Sequence, residues 1–148
     1  MEKIIINTDG GSRGNPGEGA IGIVFSDEKG NVIKSYGEKI GVCTNNEAEY
    51  KAVIFGLKKA KQILGKDKVK LYEIEVKSDS ELLVNQMNAK YKIENENIGK
   101  LFLEVWNLKI GLNVNFTAIK RDANQLADKM VNQALDKKEN LTFGKFLL

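Results

Sequence analysis

The apolar positions of this chain change their period along its length. Ile4, Ile5 and Ile6 form an uninterrupted run, the pattern of a strand buried on both faces. Strands are predicted at residues 3–8, 20–26 and 32–39, the last two joined by a turn through Asp27-Glu28-Lys29-Gly30-Asn31. The pattern then becomes helical. Thr44 followed three residues later by Glu47 matches a capping box, and a helix is predicted from about 46 to 64. Ala52, Val53, Gly56 and Ala60 give it a face of small residues suited to packing on a sheet.

Alternation returns in Leu71-Tyr72-Glu73-Ile74-Glu75-Val76-Lys77-Ser78, a strand with Tyr72, Ile74 and Val76 predicted inward. A short helix over 80–87, a second helix over 98–110 and a strand over 112–119 follow. A last helix is marked by Ala123, Ala127, Met130, Val131 and Ala134. The order β-β-β-α-β-α-α-β-α predicts an α/β chain with a mixed five-stranded sheet and helices on both faces. Nothing in it reads as a linker, a repeat or a low-complexity tract. The expectation is one domain over 1–148, with its core over about 1–136 and an apolar tail over 137–148. The two Phe and three Leu of residues 141–148 predict that this tail docks on the domain or on a partner.

Composition narrows the class without naming a chemistry. The 148 residues suffice for one well-filled domain, and 42% hydrophobic with 29% charged content is that of a soluble globular protein. No apolar run reaches membrane-spanning length, and the N-terminus lacks a signal-peptide pattern. The single cysteine, Cys43, excludes an internal disulfide and a multi-cysteine metal site, and fits a reducing cytoplasm. The net charge of +3 is mildly basic, below the footprint of a tight nucleic-acid binder. The lysines at 58, 59, 61, 66, 68 and 70 read as a solvated helix face and loop, or as a basic flank.

The chemistry is carried by four acids. Asp9 follows the isoleucine run and opens Asp9-Gly10-Gly11-Ser12-Arg13-Gly14-Asn15-Pro16-Gly17. Glycines there allow close approach of a ligand to backbone N–H groups, and a carboxylate can hold a cation; an Asx-turn accounts for Asp9-Gly10 but not for the length of the stretch. Glu47 is assigned to the capping box. Glu49 lies on the small-residue face, where a carboxylate without a partner is costly to desolvate. Asp79 ends a strand, where open α/β sheets collect ligands. It reads as an N-cap or as a ligand; Ser80, or Ser78 in a box with Glu81, is the competing cap. Asp128 shares a helix face with Asn124, and a surface pairing with Lys129 is the competing reading.

In this order the segments resemble ribonuclease H of type 1. The resemblance rests on Thr8-Asp9-Gly10-Gly11 with Gly14-Asn15-Pro16-Gly17, on Thr44-Asn45-Asn46 ahead of Glu49, on Ser78-Asp79-Ser80, and on Asn124 to Asp128, and it covers residues 3–135. It implies a ribonuclease H-like fold, three antiparallel strands then two parallel ones, in a monomer. It implies an endonuclease that hydrolyses the RNA strand of an RNA–DNA hybrid and leaves 5′-phosphate and 3′-hydroxyl ends. Catalysis and metal binding would fall to Asp9, Glu49, Asp79 and Asp128, holding two Mg²⁺ with Mn²⁺ as a substitute. Substrate contacts would fall to Gly10, Gly11, Ser12, Asn15, Thr44, Asn45, Asn46, Ser80, Arg121 and Asn124. The chain departs from many members in having no histidine, so that its loop before the last helix reads Ile119-Lys120-Arg121-Asp122-Ala123. It matches the histidine-free branch. A basic, Trp-rich protrusion is replaced by the short mixed-charge stretch 88–97. A catalytically silent domain of the same fold, or a related two-metal nuclease or DNA-strand-transfer enzyme, are the rival readings.

Overall fold

A computed structural model describes residues 1–137 and the backbone of 141–144. Its elements are β1 (Lys3–Gly14), β2 (Gly17–Asp27), β3 (Val32–Cys43), α1 (Asn45–Leu64), β4 (Glu73–Ser78), α2 (Glu81–Met87), α3 (Glu96–Lys109), β5 (Asn113–Ala118), α4 (Gln125–Asp136) and β6 (Leu141–Gly144). The sheet runs β5-β4-β1-β2-β3-β6. β1, β2 and β3 are antiparallel, whereas β4 lies parallel to β1 and β5 parallel to β4. This is the mixed five-stranded sheet of the ribonuclease H-like fold. The short β6 extends it by pairing antiparallel with β3, from Gly37↔Leu141 to Lys34↔Gly144. Of the tail predicted to dock, 145–148 lies outside the described residues.

The strands are longer than their apolar runs. β1 was expected to end at Thr8 and continues to Gly14, because its pairing with β2 runs on to Gly14↔Gly17. The turn between them is only Asn15-Pro16, joined by a cis peptide bond. Glycines carry no side chain for a hydrophobic pattern, yet their backbone groups fill a ladder like any others. β4 starts one residue after Tyr72, which packs half-buried against the core; the residues before it form a 3-10 turn, Lys68–Leu71. Ile74 and Val76 are buried, as their alternation requires.

The main core lies between one face of the sheet and α1, α2 and α3, and includes Ile6, Ile23, Phe25, Tyr50, Leu57, Ile74 and Val105. Tyr50, 1% exposed, donates from Oη to Gln86 Oε1 at 2.6 Å and ties α1 to α2. Burial pushes its phenol up to about 12. α4 covers the other face, its Val131, Ala134 and Leu135 packing with Ala20 of β2. Gly22 permits this packing, since a Cβ there would stand 2.1 Å from the Ala127 carbonyl oxygen. Among the described residues no helix is long and apolar enough to cross a membrane.

Candidate active site

Parallel pairing of β1 with β4 ends at Thr8↔Ser78. The next residue on each strand is an aspartate, so Asp9 and Asp79 emerge side by side where the strands part. Helix α1 brings the third acid. A Cβ on Gly10 would lie 2.3 Å from the backbone carbonyl of Ala48 and 2.6 Å from Glu49 N. Only glycine allows the helix to press this closely on the strand. The Gly10 N–H donates to Glu49 Oε1 at 2.6 Å. Carboxylate oxygens of Asp9, Glu49 and Asp79 all fall within 4.8 Å of one another. Asp128, in the first turn of α4, lines the same cleft and adds its charge to those acting on Asp9.

This crowding has an electrostatic cost. Burial, then Asp79, then Asp128 raise the Asp9 carboxyl to about 7. Burial, then Asp9, then Asp79 raise Glu49 to about 9, against the opposing pull of the Gly10 N–H. Like charges held this close cannot all ionise without a compensating cation. The donors are hard oxygens and no thiol or imidazole is among them, which fits Mg²⁺ or Mn²⁺ rather than Zn²⁺. The acids open onto a cleft of about 450 Å³, also lined by Gly11, Ser12, Asn45, Asn46 and Arg121.

Around the acids the hydrogen bonds separate scaffold from surface. Glu47 completes the capping box predicted for it, accepting from Thr44 N at 2.8 Å while Thr44 Oγ1 accepts from Glu47 N at 3.1 Å. Asn45 Oδ1 accepts from Ser12 N at 2.9 Å, and Asn45 N donates to Asn15 Oδ1 at 3.0 Å. These bonds fasten the β1–β2 hairpin to the start of α1. Ser80, rather than Ser78 with Glu81, caps α2: its Oγ accepts from Leu83 N at 3.2 Å. Ser78 Oγ accepts from Ser80 N, so Asp79 is released from capping.

Two of the expected substrate contacts also carry hydrogen bonds within the fold. Asn124 is 1% exposed. Its Nδ2 donates to Thr8 O at 2.9 Å and its Oδ1 accepts from Asn7 Nδ2 at 3.1 Å. Both ends of the amide are spent holding the start of α4 on β1. Gly10 lines the acid cleft, and its N–H is taken by Glu49. The sequence reading also passed over Arg13, Asn132 and Leu135, which line the cleft. With β1 running to Gly14, Arg13 shares a strand face with Asp9. A side pocket of about 300 Å³, lined by Asn15, Thr44, Asn46, Gln86, Asn95 and Asn97, adjoins this surface.

Residues 7–134 match the family model described as reverse transcriptase-like. The chain is 43% identical to a ribonuclease H1 isolated from compost by a metagenomic approach, with a TM-score of 0.86 over 92% of this chain and 97% of that one. The chain belongs to the ribonuclease H family, type 1. It is also 31% identical to the ribonuclease H1 of the halophilic archaeon Halobacterium salinarum, with a TM-score of 0.82 over 90% of this chain and 98% of that one. A bifunctional protein of Mycobacterium tuberculosis is 36% identical over 138 residues, covering 90% of this chain and 36% of the relative. The ribonuclease H chain thus spans about a third of the length of the mycobacterial relatives it matches.

Proposed function

We propose that this chain is a divalent-metal-dependent endonuclease that cleaves the RNA strand of RNA–DNA hybrids. One observation carries the reading: the oxygens of Asp9, Glu49 and Asp79 converge within 4.8 Å in a cleft that also holds Asp128 and Arg121. A relative 41% identical to this chain, with a TM-score of 0.83 over 90% of this chain and 96% of its own, has a crystal structure in complex with an RNA/DNA hybrid.

Asp9, Glu49, Asp79 and Asp128 would hold two ions, the first three through oxygens that already converge. Bound there, divalent cations supply Lewis-acid chemistry, activating water and neutralising charge on the phosphodiester and its leaving oxygen. The Gly10 N–H orients the Glu49 carboxylate towards the cluster. The buried setting of Asp9 limits competing water. Arg121 lines the cleft and offers its planar fork to a phosphate. Asn15, Asn45 and Asn46 face the same approach, and their amides suit the 2′-hydroxyls that distinguish RNA from DNA. Contacts to sugar and phosphate carry no base code, so cleavage is independent of sequence. The products carry 5′-phosphate and 3′-hydroxyl ends.

The test is cleavage of end-labelled RNA–DNA, RNA–RNA and DNA–DNA duplexes in Mg²⁺ and in excess chelator, with Asp9→Asn alongside. The expected result is cleavage of the RNA strand of the hybrid only, abolished by chelator and by Asp9→Asn. Cleavage in chelator, or an active Asp9→Asn protein, overturns the proposal.

A further inference from the structure

We propose that Arg13 is a second phosphate anchor, gripping the hybrid backbone away from the scissile bond while Asp136 holds its guanidinium in place. This rests on the hybrid-binding reading above. In a strand, Asp9, Gly11 and Arg13 share one face. Arg13 lines the same cleft as the acids. Four residues of strand place it about 13 Å beyond Asp9 along β1, so the phosphate it reaches is not the one attacked at Asp9. Gly11 lies between them. A Cβ there would meet nothing nearer than 3.9 Å, from Asn45 Oδ1 and Val131 Cγ1. Packing therefore does not demand glycine at 11, and its bare backbone leaves the floor between Asp9 and Arg13 open.

The sheet order sets the two cleft arginines apart. Arg121 follows β5 on one outer side of β4, and Arg13 stands at the β1–β2 hairpin on the other. A polyanion entering a cleft lined by four acids thus meets a cation on each flank. Arg13 Nη2 donates to Asp136 Oδ1 at 2.6 Å, with side chains 53% and 61% exposed. Ion pairs this exposed add little to stability. Asp136 also stands in the last turn of α4, where the helix dipole disfavours an acid. The pair is thus poorly explained as a brace for the fold. One contact restrains the side chain and uses only one of its five guanidinium donors.

The experiment compares Arg13→Ala, Arg13→Lys and Asp136→Asn. Steady-state cleavage of a labelled hybrid in Mg²⁺ is read as KM and kcat separately. Equilibrium binding of the same hybrid across a salt series is read by fluorescence anisotropy, each change being placed in an Asp9→Asn background. Arg13→Ala should raise KM about tenfold with kcat little changed, the factor carried by one charge-assisted contact. It should flatten the slope of log affinity on log salt by about 0.9, one phosphate contact. Arg13→Lys should keep the slope but bind more weakly, having lost the fork. Asp136→Asn should keep the slope and most of the affinity. Equal effects of Arg13→Ala and Asp136→Asn on KM and melting temperature, with an unchanged slope, would make the pair a brace and overturn the proposal. If the wild-type chain fails to cleave hybrid, the functional reading falls; the binding arm still judges Arg13 by its slope.

Discussion

Gly10 and Glu49 are bonded to each other, backbone N–H to Oε1 at 2.6 Å, where the start of α1 presses on β1. The contact sets the position of a carboxylate and depends on the absence of a side chain. Gly10→Ala would place a Cβ 2.3 Å from the Ala48 carbonyl. We expect it to destabilise the fold by about 1–3 kcal/mol, the usual range for overpacking, and to remove most activity by displacing Glu49. Gly11→Ala has room and should change stability by no more than about 0.5 kcal/mol. Urea denaturation of both variants, with cleavage assays, checks the contrast.

The acids also predict how stability varies with pH in chelator. Asp9 and Glu49 have folded-state values raised to about 7 and about 9, above their ordinary 3.8 and 4.5. Between those limits the folded state binds more protons than the unfolded state, so unfolding free energy falls as pH rises. The melting temperature in chelator should decline from about pH 4 to about pH 9, the window set by these shifts. Mg²⁺ should restore it at the alkaline end, and Asp9→Asn should reduce the decline. A flat or rising profile in scanning calorimetry would contradict the arrangement.

Glu47 and Glu49 are two residues apart and should behave oppositely. Glu47→Gln retains an acceptor for Thr44 N and should leave cleavage near the wild-type rate. Glu49→Gln keeps the shape but removes a charge from the cluster, and should lower the rate by at least about a hundredfold, as loss of a principal electrostatic group does. Parallel kinetics with circular dichroism separate chemistry from folding.

Tyr50→Phe tests the tie between α1 and α2. It leaves Gln86 Oε1, in a side chain only 7% exposed, without its donor. The expected loss is about 1–3 kcal/mol in urea with an unchanged m value and with hybrid cleavage retained.

Much of this molecule was legible in one dimension because the deciding interactions are local. Thr44 and Glu47 meet within one helical turn, so the start of α1 could be read from their spacing. The buried Ile74 and Val76, and the turn closed by Gly30 N–H to the Asp27 carbonyl, follow from alternation and turn chemistry over a few residues. The acids could be singled out because each interrupts a local pattern: Asp9 and Asp79 end apolar runs, and Glu49 sits among small residues.

What needed the fold were relations between residues far apart in the chain. No local rule brings Asp9 next to Asp79; their meeting follows from the parallel register Thr8↔Ser78. Glycine at 10 read as an opening for a ligand; that it is also a seat for a helix backbone could not be read, because the atoms that fill its space belong to Ala48, far along the chain. Asn124 read as a neighbour of Asp128 on one helix face; its burial could not be read, since its partners Asn7 and Thr8 are more than a hundred positions away. Arg13 was passed over because its strand had no apolar signature; the ladder to β2 extends β1 and places Arg13 on the face of Asp9. Patterns along a chain report which residues seek water or avoid it. Which of them touch is decided by sheet order and register, and those are set when distant strands pair.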